Sequence, residues 1–311
     1  MYNKPMKLIG ENIHIISKTV RAALAERDEA FIKDLILKEK TVDTIDLNVG
    51  PAKAAMEGIL PWLCNLVQEN SNLSISFDST NAEEIEKGLN VCNNTENAFI
   101  NSTSADSERL EKITTLAKKY NSNMIALTMN KEIGIPKTAD ERLALAFEIM
   151  ETCDEKEILH DKIYFDPLIL PISVEQSQAQ EAINTIQMIK QSFEPEVKTT
   201  VGLSNISNGS PKEIRPLINR VFAVLLYGAG LDSAIIDALD TELIRIIKML
   251  DNQNPQNKID ELYINIANTI RDFSEIEEIS YNEQDSNQVA IIKTANILLN
   301  KSIYSHSFLQ I

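Results

Sequence analysis

Short β-branched or apolar runs alternate with longer segments of helical period along almost the whole chain, and no other feature constrains the fold as much. This alternation favours parallel strands joined by crossover helices. Candidate strands fall at 6–10, 44–48, 73–78, 98–101, 123–128, 163–166, 198–203 and 233–237. Between them, segments such as 81–91, 106–120, 139–153 and 175–191 place apolar residues three and four apart, as helices that bury one face do. Eight strands in this rhythm match the count of a closed barrel. The expected fold class is α/β, a (β/α)8 TIM barrel spanning 1–311 as a single domain.

Polar residues crowd just after the candidate strands: Glu11-Asn12, Asp46 to Gly50, Asp78-Ser79-Thr80, Asn101-Ser102-Thr103, Asp166-Pro167, and Gly202 to Asn205. In a barrel these ends converge at the C-terminal rim, where active sites sit. Each residue taken singly also reads as a cap for the following helix. Six such ends rich in amides, hydroxyls and carboxylates are harder to assign wholly to capping.

The formal net charge of −16, from 30 Lys+Arg against 46 Asp+Glu, disfavours a nucleic-acid partner, and no basic patch offsets it. The opening MYNKPMKLIGENIH has one short apolar run that leads straight into polar residues, unlike a secretion signal or membrane span, so a cytoplasmic location is expected. Cys64, Cys92 and Cys153 are too scattered for a disulfide framework, and no ligand set for a metal is evident. The stretch 251–288, acidic and rich in Asn and Gln, breaks the rhythm and reads as a surface insertion before the last helix. Its LYINIANTIRDF portion has helical spacing, and the chain resumes at 289 with the pattern of a closing helix.

Eight strings occur in order: DLNVGPA (46–52), FDSTN (77–81), INSTSA (100–105), LTMNKEIGIPK (127–137), FDPLILP (165–171), GLSNIS (202–207), RPLINR (215–220) and LLNKSIYSHSF (298–308). Together they closely resemble the methyltetrahydrofolate:corrinoid/iron-sulfur protein methyltransferases, over nearly the whole chain except the acidic stretch. The resemblance implies a pterin substrate, methyltetrahydrofolate or a related methyl-pterin, whose N5-methyl group passes to the Co(I) of a corrinoid carried by a partner protein. It implies pterin contacts at Asp78, Asn101 and Asp166, and a catalytic Asn205 near the methyl-bearing N5. Asp46, Gly202 and Ser204 resemble further pocket positions, and Arg215 resembles an arginine near the aminobenzoyl part. A homodimer is also expected from the family.

The chemistry of these residue types suits that ligand. A 2-amino-4-oxo pterin presents a row of N–H donors along one edge, and an ionised carboxylate only accepts. An amide such as Asn101 both donates and accepts, so it can meet the ring's mixed edge. Methyl transfer from a tertiary amine needs a proton or a strong hydrogen bond at the departing nitrogen. An amide is not a strong acid, so Asn205 would supply only part of this stabilisation.

The first motif departs from the family's GERIN or GERTN, reading GENIH with Asn12 and His14. His14 is either a pH-sensitive contact at the rim or a neutral histidine hydrogen-bonded at the strand end. Two other readings stay open. Dihydropteroate synthases also have strand-end aspartates, but their late-strand motif carries a basic pair after Ser, where Ser204 is followed by Asn205 and Ile206. A non-catalytic pterin-binding subunit of a corrinoid assembly is the third reading.

Overall fold

The computed structural model describes residues 5–53 and 56–309. Eight parallel strands form one sheet: β1 (Lys7–His14), β2 (Thr44–Gly50), β3 (Ser74–Ser79), β4 (Phe99–Ser104), β5 (Asn123–Leu127), β6 (Ile163–Asp166), β7 (Lys198–Thr199) and β8 (Ser233–Ile236). Their order is β7-β6-β5-β4-β3-β2-β1-β8. A bridge from Gly202 to Ile235 joins the two ends, so the sheet is a nearly closed barrel. All eight candidate strands are therefore present. Most bounds shift by one to three residues, and two shift further: β1 runs through the whole GENIH motif, and β7 leaves the ladder after Thr199 for a 3-10 turn at Leu203–Ser207.

The crossover helices are α1 (Lys18–Glu26), α2 (Glu29–Lys38), α3 (Ile59–Asn70), α4 (Ala82–Val91), α5 (Ser107–Tyr120), α6 (Ala139–Glu155), α7 (Ser177–Ser192) and α8 (Arg215–Ala229). After β8 come α9 (Thr241–Asn252), α10 (Lys258–Arg271) and α11 (Ser286–Leu298). Several begin where a side-chain oxygen caps the free amides of the first turn. Asp28, Asn81, Asp240, Asn257 and Asp285 do so, and Thr138 with Glu141 completes a capping box.

Period-two alternation sorts the strand residues. Outward residues such as Ile45, Leu47, Ile75, Phe77, Ile100 and Phe165 pack under the helices. Inward residues form two layers. The lower layer is apolar, with Ile9, Phe99, Ile125 and Tyr164 in one cluster. One step further along the same strands stand Glu11, Asn101, Leu127 and Asp166, joined by Asp46 and Asp78. The barrel thus has an apolar floor and a polar mouth, as one register predicts for strands that are buried on both faces.

Within 251–288, α10 buries Leu262, Tyr263, Ile266, Ala267 and Ile270. It lies so close to α8 that a Cβ at Gly228 would stand 2.9 Å from Ile270 Cβ and closer still to the Ala267 carbonyl oxygen. The end of the chain is only partly helical. Beyond Leu298 it turns back to the rim, where Tyr304 donates its hydroxyl to Ser210 Oγ at 2.7 Å.

Candidate functional site

Three adjacent strands build the first half of the mouth. Their registers pair Asn48 with Asp78 and Asp78 with Asn101. Asn48 Nδ2 donates to Asp78 Oδ2, Asn101 Nδ2 donates to Asp46 Oδ1 at 3.2 Å, and Ser76 Oγ donates to the same Asp46 oxygen. Asp46 and Asp78 also share a hydrogen bond. Burial, then the neighbouring Asp78 charge, pushes the Asp46 carboxyl well above the usual range, so Asp46 holds the shared proton. Asp78 is pushed up to about 6 by burial, against hydrogen bonds from Asn48 and Asp46 and the charge of Arg109.

Asp166, at the end of β6, stands two strands away from Asn101. It is buried and accepts the Leu168 amide at 2.7 Å. Burial pushes it up to about 7, opposed by that amide and by Arg142. Among the described residues, Asp78 and Asn101 line a cleft of about 730 Å³ whose far wall carries Arg109, Leu127 and Met129.

The opposite side of the mouth holds a second cavity of about 400 Å³, lined among others by Glu11, His14, Ser204 and Arg215. Ser204 Oγ donates to Glu11 Oε1 at 2.5 Å, tying the turn after β7 to the GENIH motif. Burial pushes Glu11 up to about 7, against the Ser204 hydrogen bond. Arg215 Nε donates to the Ser210 carbonyl at 2.8 Å. Asn205 is exposed and accepts from Asn208 Nδ2 at 3.3 Å. A Cβ at Gly202 would stand 3.0 Å from Asn205 Nδ2, so glycine there leaves room for the Asn205 side chain.

The eight candidate residues therefore fall into two groups. Asp46, Asp78 and Asn101 are joined directly and Asp166 shares their layer; Gly202, Ser204, Asn205 and Arg215 follow β7 on the other side. Asp46, Asp166, Gly202 and Asn205 line neither cavity. Among the described residues no cluster of three or more His, Cys, Asp or Glu is placed to hold a metal ion, and no helix is long and apolar enough to cross a membrane.

Residues 43–237 match the family model for pterin binding enzymes. The chain belongs to the pterin binding enzyme family. The matched span runs from just before β2 to just past β8 and takes in both groups of candidate residues. The chain is 27% identical to the methylcorrinoid:tetrahydrofolate methyltransferase of Eubacterium limosum over 250 residues, 79% of this chain and 90% of that protein. It is 30% identical to the methionine synthase of Mycobacterium tuberculosis over 267 residues, 81% of this chain but only 21% of that protein. The fold is similar to that of a Coxiella burnetii dihydropteroate synthase solved with pteroic acid, with a TM-score of 0.59 at 15% identity over 82% of this chain and 96% of that one.

Within this pterin binding enzyme, four residues matter beyond the eight candidate site residues. Asn48 holds Asp78, Glu11 takes the Ser204 hydroxyl, Arg109 braces two strand ends, and Glu39 lies fully buried with neither carboxylate oxygen hydrogen-bonded by a side chain. Glu39 occupies the space that a side chain at Gly10 would need, and burial pushes it up to about 8. Asn12 is also explained: its amide donates to Asp237 Oδ1 at 2.7 Å and accepts the Ala238 amide at 2.9 Å, pinning β1 to the end of β8. Position in the strand-end pattern was the signal available for Glu11 and Asn48.

Proposed function

We propose that the protein moves the N5-methyl group between a methyltetrahydropterin, methyltetrahydrofolate or a close relative, and the cobalt of a corrinoid carried by a partner protein. The observation that carries this reading is the inward layer of carboxyls, Asp46 and Asp166 buried and Asp78 half-buried, with Asn101 among them. A buried carboxyl with spare lone pairs costs free energy unless donors meet it, and the donor edge of a pterin is such a partner. Asp78 and Asp166 accept from that edge, Asn101 both donates and accepts, and Asp46 stays protonated behind Asp78 and steadies it. The Eubacterium limosum relative's name, which pairs a methylcorrinoid with tetrahydrofolate, supports the same reaction.

The corrinoid, as the methyl acceptor, supplies the nucleophilic metal centre. The chain's own share is to bind, to orient and to stabilise the nitrogen that loses its methyl group. Asn205, on the turn that Gly202 leaves room for, directs its amide to N5. Ser204 fixes that turn through Glu11, and Arg215 lines the cavity towards the aminobenzoyl part. Methyl transfer in either direction uses these same groups.

The test is to mix the protein with methyltetrahydrofolate and cob(I)alamin and follow the loss of Co(I) absorbance. The parent is expected to turn over. Asp78→Ala is expected to weaken pterin binding roughly tenfold to a hundredfold, from the ~1–3 kcal/mol cost of an unmet buried donor. Asn205→Ala is expected to slow transfer more than it weakens binding. A parent that binds the pterin yet never consumes Co(I) overturns the transfer reaction, and one that fails to bind it overturns the site.

A further inference from the structure

Arg109 is the third residue of α5, half-buried on the wall of the larger cleft. Its guanidinium makes three hydrogen bonds, all to backbone carbonyls of the rim. Nε donates to Ser102 at 2.7 Å, one terminal nitrogen to Thr80 at 2.7 Å, and the other to Ser79 at 2.9 Å. Ser79 directly follows Asp78 and Ser102 directly follows Asn101. One side chain thus holds the backbone just beyond two of the three residues to which pterin contacts are assigned, across the ends of two strands. We infer, on the premise of the pterin reading above, that Arg109 is a positioning residue that fixes Asp78 and Asn101 by this three-way brace and sets its positive charge against the Asp78 carboxyl.

Two physical consequences follow. A planar guanidinium is suited to meeting several carbonyls at fixed angles, and a lysine ammonium cannot copy the arrangement. Loss of the fork therefore loosens both strand ends even where the charge is kept. The charge acts separately. The groups that face Asp78 are Asp46 and Asn48 on β2 and Arg109 on α5, and those that face Arg109 are Asp78 and Asp106. Among them Arg109 supplies the positive charge, and it opposes the burial that drives Asp78 towards its protonated form. A protonated Asp78 carries a donor where the pterin edge also carries donors, so binding fails as the carboxyl gains its proton.

The experiment measures the dissociation constant of 5-methyltetrahydrofolate by calorimetry from pH 5 to pH 8.5. The subjects are the parent, Arg109→Gln, Arg109→Lys and a control, Lys258→Gln. Lys258 stands on α10 outside both cavities of the mouth, exposed and paired with Glu261 at 2.7 Å. In the parent, affinity is expected to fall as pH drops through about 7, where Asp166 gains its proton, and again through about 6, where Asp78 does, the second fall being the one that reports on Arg109. In Arg109→Gln the midpoint of that fall should move up by about one pH unit, as removal of a cation from beside a carboxylate does. Arg109→Lys should keep the parent midpoint but bind several-fold more weakly at pH 8.5, and the Lys258 control should keep both. A Gln variant whose affinity drops equally at every pH, with the midpoint unmoved, overturns the inference, and so does a Lys variant that binds as tightly as the parent. The Lys measurement stands by itself should Arg109→Gln not fold. A parent that does not bind the pterin overturns the functional reading and takes this inference with it, a result distinct from a binding parent with indifferent variants.

Discussion

Asp166→Asn separates what the site costs the fold from what it gives the ligand. In the folded chain Asp166 is buried at the barrel mouth and its carboxyl is pushed up from 3.8 to about 7, a value that already contains the attraction of Arg142. Because the folded-state value is raised, the folded chain holds this proton more tightly than the unfolded chain. The stability it contributes is therefore fully present below about 3.8 and is lost as pH rises towards about 7. At roughly 1.4 kcal/mol per pH unit the loss is about 4 kcal/mol above pH 7 and about 2 kcal/mol at pH 5. An asparagine cannot ionise, and its carbonyl oxygen can still accept the Leu168 amide. The variant is thus expected to be more stable than the parent, with an advantage that grows by about 2–3 kcal/mol between pH 5 and pH 8. Urea unfolding followed by Trp62 fluorescence at the two pH values measures this directly. The same variant should bind methyltetrahydrofolate roughly tenfold to a hundredfold more weakly, since an amide nitrogen faces ligand donors where a carboxylate oxygen accepted them. An advantage that does not widen with pH refutes the assignment of a raised, buried carboxyl. Pterin affinity unchanged from the parent refutes its role at the ligand edge.

Gly228→Ala should destabilise the chain by up to about 2 kcal/mol. The overpacking cost of about 1–3 kcal/mol against the Ala267 backbone exceeds the ~1 kcal/mol that alanine gains in a helix, and a urea midpoint at or above the parent's would show that α10 is not seated on α8. For the same reason, deleting 251–288 should lower the urea midpoint, because it strips α8 of the cover given by Leu262, Tyr263 and Ile266; an unchanged midpoint would identify the stretch as a dispensable surface insertion. Cys92 should be alkylated by iodoacetamide at pH 7 before the other two cysteines. A hydrogen bond from Cys64 and the Asn94 amide bring its thiol to about 7, whereas burial holds Cys153 at about 12; equal labelling of all three by mass spectrometry would contradict this.

The strand rhythm was legible because barrel strands buried on both faces stay largely apolar or β-branched, as at Ile163-Tyr164-Phe165 and Met124 to Leu127. The bounds failed where rim chemistry overrides that pattern. GENIH looked like a strand followed by polar loop residues, yet Glu11 points into the barrel and the ladder continues past it to His14. At the other end, the apolar Val201 and Leu203 invited a long seventh strand, but the chain leaves the ladder to form the Asn205 turn. The candidate site was legible in part for the same reason: Asp46, Asp78, Asn101 and Asp166 are the polar residues that break those apolar runs towards the strand ends. What closes the site was not. Ser204 meets Glu11 across 193 residues, and Arg109 reaches carbonyls that stand 7, 29 and 30 residues before it. Backbone acceptors leave no mark on sequence composition, so a bracing arginine reads like any helix-surface arginine. The partners of Glu39 and Gly10 are hidden likewise, because an absent Cβ announces only that something fits there.

The barrel's ring of backbone hydrogen bonds is uneven. Seven neighbouring strand pairs are ladders, while β7 and β8 meet at the Gly202 bridge and the amide of Ile235 that donates to Val201 at 2.8 Å. A closed shell with one thin seam deforms there first, so elastic compliance is concentrated beneath the turn that carries Ser204 and Asn205. The half of the mouth built from β2, β3 and β4 is by contrast stiff. A rigid jaw facing a sprung one is the expectation from this pattern, and amide hydrogen exchange should accordingly be faster along 200–207 than along 44–50 and 74–79.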